Sequence, residues 1–144
     1  MIGAGAPNPG VALAEAAAKL VGSPFRLHGR DPATGLDCVG LVVAALSATG
    51  ATPHAPSGYG LRNLSVDHWL HFADRSGLAA SPGPIRAGDV LLIALSHCQH
   101  HLAIAASAAS IIHAHAGLRQ VVRQPLDPAW RLLIKWHVAQ QMEG

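Results

Sequence analysis

The chain has 144 residues, of which 50% are hydrophobic and 12% charged, with a formal net charge of +2. That length and composition suit one domain with a full core and exclude a disordered chain. The basic residues are spread out rather than gathered into an aromatic-interleaved stripe, which excludes nucleic acid as the expected partner; Arg119, Arg123, Arg131 and Lys135 form a loose set read as a solvated face.

Residues 1–7 read as a loose tail. Asn8-Pro9 is a helix start, with Asn as cap and Pro in the first turn, and the helix is expected over residues 9–21, stopping at Gly22. Residues 25–36 hold Gly29, Pro32 and Gly35 and read as an irregular loop. A second helix follows. Val39, Val42, Val43 and Leu46 form an apolar stripe, Asp37 is its natural cap and Gly50 its natural stop. Residues 51–60 read as a loop and 66–75 as a short third helix. From Gly88 the pattern changes to short apolar segments at 90–95, 101–107, 110–115, 119–124 and 132–138, which predict a five-strand antiparallel sheet. Helices first and strands after give an α+β fold in a single domain, residues 1–144.

Glu15 and Lys19 break the apolar run nearest the amino end, so no signal peptide is expected and the chain is expected to be cytoplasmic on synthesis. Residues 90–118 contain no Asp, Glu, Lys or Arg, but histidines cut the stretch well short of the ~20 apolar residues a membrane helix needs. Buried strands explain it, and no membrane span is expected.

Two cysteines, Cys38 and Cys98, do not make a disulfide framework. Cys38 falls at the first turn of the second helix. Free N–H groups and the helix dipole there favour a thiolate and are placed to hold a developing oxyanion. Asp37 beside it acts the other way, so a histidinium partner is needed. His97, His100, His101, His113 and His115 lie on or beside two adjacent predicted strands. Strand alternation puts His101 on one face of its strand and His113 and His115 together on one face of the next. A three-residue turn, Ser107 to Ala109, sets His101 opposite His115 with His113 one diagonal step away; a turn through Ala106 to Ala108 sets His101 opposite His113. Both registers permit a nucleophile, a base and an orienting residue. His97, Cys98, His100 and His101 lack a standard zinc-finger spacing, so no metal and no other cofactor is expected. Cys98 reads as structural.

Four segments occur in an order that resembles a known family. Asp37-Cys38-Val39-Gly40-Leu41-Val42 is similar to the Asp-Cys-Ser-Gly-Leu-Val signature of the NlpC family of cell-wall cysteine peptidases. Gly88-Asp89-Val90, His101-Leu102-Ala103-Ile104 and Ile111-Ile112-His113-Ala114 resemble its Gly-Asp-Leu, His-Val-Gly-Ile and Ile-His-Ala segments. Gly22-Ser23-Pro24-Phe25 resembles the family's Gly-Thr-Pro-Tyr loop. The resemblance implies a papain-like fold, with Cys38 as nucleophile, His101 as base and His113 as orienter. It implies hydrolysis of peptidoglycan stem peptides, typically between D-glutamate and a diamino acid, and no cofactor. Short members of this kind occur in phage tails and prophages, which makes phage-tail or gene-transfer particle proteins expected partners. Phe25, His28, Asp37, Val39 and His115 are candidate substrate contacts; Val39 stands where many relatives have Ser, and Phe25 where many have Tyr. An amidase or acyltransferase with the same triad, and a silent structural tail component, are the alternatives.

Overall fold

The computed structural model describes residues 8–54, 66–96 and 99–139. The expected tail at 1–7, part of the expected loop at 51–60, and His97 and Cys98 lie outside the described residues. Helix α1 spans Pro9–Ala18, and Asn8 caps it by accepting from the N–H groups of Gly10 and Val11. The two-residue strands β1 (Arg30–Asp31) and β2 (Gly35–Leu36) pair within the segment read as an irregular loop. Helices α2 (Cys38–Ala48) and α3 (Val66–Arg75) follow. Strands β3 (Leu78–Ala80), β4 (Val90–Ser96), β5 (Gln99–Ala105), β6 (Ser110–His115), β7 (Gln120–Pro125) and β8 (Arg131–Val138) then make one antiparallel sheet in the order β3-β8-β4-β5-β6-β7.

The sheet has six strands, not five. Strand β3 pairs with β8 through Leu78 and Val138. Its sequence, Leu-Ala-Ala, is too short and too poor in β-branched residues to announce a strand, so pairing creates it rather than propensity. No described helix is long and apolar enough to cross a membrane.

The two sheet faces bury different clusters. Val90, Leu92, Leu102, Ile104, Ile112, Val121 and Trp136 meet Leu13 of α1 and Leu41, Val42 and Leu46 of α2 in the main core. Leu91, Ile93, Ala103 and Ile111 point the other way and are covered by Ile85, Leu126 and Trp130. This alternation is what a period of two requires, and it explains the run free of formal charges: both faces of β4 and β5 are buried. Lys135 belongs to the structure, not to a solvated face. It is buried, its Nζ reaches the Ser81 carbonyl and hydroxyl, and Asp89 lies 3.8 Å away. Arg119, Arg123 and Arg131 are exposed.

Helix α2 approaches the preceding loop as closely as backbones allow. A Cβ on Gly40 would fall inside contact distance of the Gly29 carbonyl oxygen. Replacing a helical Gly by Ala ordinarily gains about 1 kcal/mol, while overpacking against an unyielding neighbour costs about 1–3 kcal/mol. A backbone carbonyl cannot rotate away, so the clash should win. Gly40→Ala is therefore expected to lower unfolding free energy by about 1–2 kcal/mol in urea titrations, and a stabilised variant would show that this contact is loose.

Candidate active site

Asp37 fixes where α2 begins. Its carboxylate is fully buried; Oδ1 accepts from the Gly40 N–H at 2.8 Å and from Arg30 Nη1 at 3.1 Å, and Oδ2 accepts from the His28 N–H at 2.8 Å. The negative charge is thus spent on the helix cap and the loop. The same loop is tied to the sheet edge: Gly22 N–H and Phe25 N–H donate to the carbonyls of Val121 and Arg119, and Val121 N–H donates to Ser23. Cys38, one residue into the helix, is consequently pinned between loop and sheet.

Strand β5 supplies what meets its sulfur. The Ala106 N–H donates to Ser110 and the Ala105 N–H to Asp89, so even-numbered N–H groups of β5 aim at β6 and odd-numbered ones at β4. The β5–β6 ladder contains only Ile104↔Ile112 and Ala105↔Ile111. Leu102, next along, points its N–H towards β6 beyond the end of that ladder. The Cys38 sulfur takes a hydrogen bond from the Leu102 backbone, and another from Val39. The sulfur therefore lies near Leu102, the residue that follows His101.

The histidines form a line across the outer face. His101 Nε2 and His113 Nδ1 are 2.7 Å apart, and His113 Nε2 lies 2.8 Å from Gln124 Oε1. The three residues stand on β5, β6 and β7. The turn is the three-residue one, Ser107 to Ala109, since Ala106 bonds to Ser110. Continued along the strands, this register sets His101 across from His115, yet the hydrogen bond runs diagonally to His113. Register therefore does not choose the partner. His115 is occupied elsewhere: its Nδ1 accepts the Leu118 N–H at 3.0 Å and caps the β6–β7 turn. Trp130 stands edge-on to the His113 ring at 5.7 Å, and His113 is buried.

The electrostatics differ from a ready-made ion pair. Burial pushes the Cys38 thiol up to about 12, with Asp37 adding to it and the Leu102 and Val39 hydrogen bonds and Arg30 opposing. Burial, then His113 and His115, holds His101 down at about 3. Burial also lowers His113, against the hydrogen bond it donates to Gln124. At neutral pH the resting site holds a thiol and neutral imidazoles. The thiolate expected from the helix start is thus not the resting form, and only 7% of Cys38 is exposed.

Among the candidate substrate contacts, Asp37 and Val39 are fully buried and present no surface to a ligand. His28 is exposed and Phe25 half-buried, packed against the main core. Among the described residues no three His, Cys, Asp or Glu side chains gather to hold a metal. Sequence reasoning passed over Gln124. Its signal was available: with β6 and β7 joined after His115, Gln124 falls opposite Ile111 and on the face of His113. The Leu102 N–H had no signal, being backbone.

No family model matches the chain, and no curated protein matches it. Solved structures do. NlpC2 from Trichomonas vaginalis superposes with a TM-score of 0.70 at 16% identity, covering 96% of this chain and 49% of that one. The NlpC/p60 domain of the peptidoglycan hydrolase SagA gives 0.59 at 23% identity, covering 88% and 96%. An NlpC/P60 family protein from Bacillus cereus gives 0.68 at 20%, covering 92% and 41%. The chain spans about half the length of the Trichomonas structure and less of the Bacillus one, and all of a domain such as that of SagA. These likenesses establish the fold, the papain-like α+β fold of NlpC/P60 domains.

The pKa shifts carry a stability signature. Below its ordinary 6.5, His101 takes up a proton in the unfolded chain but not in the folded one until about 3, so stability falls as pH drops through that window. The slope approaches about 1.4 kcal/mol per pH unit for one such group, and His113 acts in the same direction. On the alkaline side the unfolded thiol ionises near 9.0 and the folded one near 12, so stability falls again as pH rises between them. Urea midpoints measured from pH 4 to 10 should show both limbs. His101→Gln should flatten the acid limb and Cys38→Ala the alkaline one; limbs unchanged in these variants would contradict the buried, neutral site.

Proposed function

We propose that this chain, proceeding from its NlpC/P60 fold, is a member of that family and a cysteine peptidase that hydrolyses stem peptides of peptidoglycan. One observation carries the reading: a cysteine at a helix start lies against the strand whose histidine heads a hydrogen-bonded line, His101–His113–Gln124. One protein of similar fold, SagA, is a peptidoglycan hydrolase, which supports the substrate class. The bond between D-glutamate and a diamino acid is the proposed cleavage point.

The neutral resting pair dictates the order of events. Thiolate is not stored; His101 removes the Cys38 proton as sulfur attacks the amide carbonyl. The bare Nδ1 of His101 is the accepting atom, because Nε2 faces His113. His113 Nδ1 then holds the imidazolium that forms. The Cys38 N–H, at the start of α2, stabilises the developing oxyanion. His101 returns its proton to the leaving amine, the acyl group remains on sulfur, and water releases it with His101 again as base. His113 is the orienting residue in this scheme, and His115 a turn cap.

Digestion of purified peptidoglycan followed by mass spectrometry of the fragments tests this. Wild type should release peptides cut after D-glutamate, with activity kept under exhaustive chelation. Cys38→Ala should release none. His113→Ala should lower kcat by about 10²–10⁴-fold, and His115→Ala by far less. Fragments freed equally by Cys38→Ala, or activity lost to chelator and restored by zinc, would refute the assignment.

A further inference from the structure

Resting on that reading, we infer that Gln124 is a positioning residue, whose side-chain oxygen dictates which nitrogen of His101 is free to take the cysteine proton. The argument is one of hydrogen count. An amide oxygen only accepts. Gln124 Oε1 at 2.8 Å therefore requires a proton on His113 Nε2. A neutral imidazole carries one N–H, so His113 Nδ1 is left bare. That bare nitrogen is 2.7 Å from His101 Nε2 and requires the His101 proton there. His101 Nδ1 is then the lone-pair nitrogen, as a base needs. With no acceptor at position 124, His113 is free to carry its proton on Nδ1 and donate to His101. The His101 proton then moves to Nδ1, and the base is lost although every ring stays in place.

The fold makes this chain direct. Each step is a diagonal one between neighbouring strands: His101 reaches past His115 to His113, and His113, paired with Val122, reaches past it to Gln124. Such diagonals lie within reach of long side chains. Trp130 and the outer cluster around Leu126 cover this face and lower the local dielectric, which raises the cost of a mismatched proton. Gln124 is half-buried, so its amide is shielded, while the strand around it is held by the β6–β7 ladder rather than by the side chain.

Ring-nitrogen NMR of ¹⁵N-histidine-labelled protein at pH 8 reads the tautomers without reference to activity. In wild type, His113 and His101 should both carry their protons on Nε2. Gln124→Glu, which can only accept, should keep that pattern, and its carboxylate should move the acid limb of kcat to higher pH by favouring the His113 cation. Gln124→Met should mix the tautomers of both rings and lower kcat by about 10- to 100-fold, the usual scale for residues that orient a ligand or base, with KM little changed. Gln124→Ala serves as a second acceptor-free variant should Gln124→Met not fold. Nε2 protonation unchanged in the acceptor-free variants, or His113 protonated on Nδ1 in wild type, would overturn the inference. Tautomers as described in a wild type that leaves peptidoglycan intact would support the positioning role and sink the proposed function instead.

Discussion

A buried carboxylate sets the geometry on which everything else depends. Asp37 accepts from the Gly40 N–H inside α2, from the His28 N–H in the loop before it, and from Arg30. These donors come from two stretches of chain, α2 and the loop before it, so one side chain closes the loop onto the helix. The close approach of Gly40 to Gly29 is the consequence, and the position of Cys38 follows from both. A carboxylate beside a nucleophilic thiol is unfavourable for ionisation, and the structure answers this by saturating the charge with donors.

The second constraint is where the β5–β6 ladder stops. Had pairing continued through Leu102, its N–H would be spent on β6 rather than left to Cys38. Pairing that stops at Ile104↔Ile112 leaves that donor for Cys38. The cysteine belongs to the main core and the histidine line to the outer face. Burial explains why the site rests neutral: it is the largest of the effects that push the Cys38 thiol up to about 12 and hold His101 down at about 3.

Much of the fold was legible because its signals are local. Asn8 and Asp37 read as caps and act as caps. Strands β4, β6, β7 and β8 begin and end within one residue of the expected segments, and β5 lies two residues earlier at both ends than expected. The Ala-rich stretch in β5 is a strand because both its faces are buried, which propensity does not register. Strand β3 and the β1–β2 pair were missed for the converse reason: they are too short to carry a period and exist through their partners. At the site, alternation placed His101, His113 and His115 on compatible faces but left the turn open. Even the correct register would have favoured His115, because side-chain reach across a diagonal, and the capture of His115 by the Leu118 N–H, are properties of the folded turn. The burial of Cys38 was equally hidden, since it arises from packing of α2 in the main core and not from a pattern around the cysteine in sequence.

Covalent trapping tests the central claim, a thiol acyl-transfer site built at Cys38 and driven by His101. The reagent is a stem-peptide analogue with a chloromethyl ketone in place of the scissile amide, read by intact and peptide mass spectrometry. One equivalent should attach to Cys38 in wild type, and attachment should slow markedly in His101→Ala, since the thiol depends on that base for its ionisation. Labelling confined to Cys98, or labelling of Cys38 at the same rate with and without His101, would contradict it.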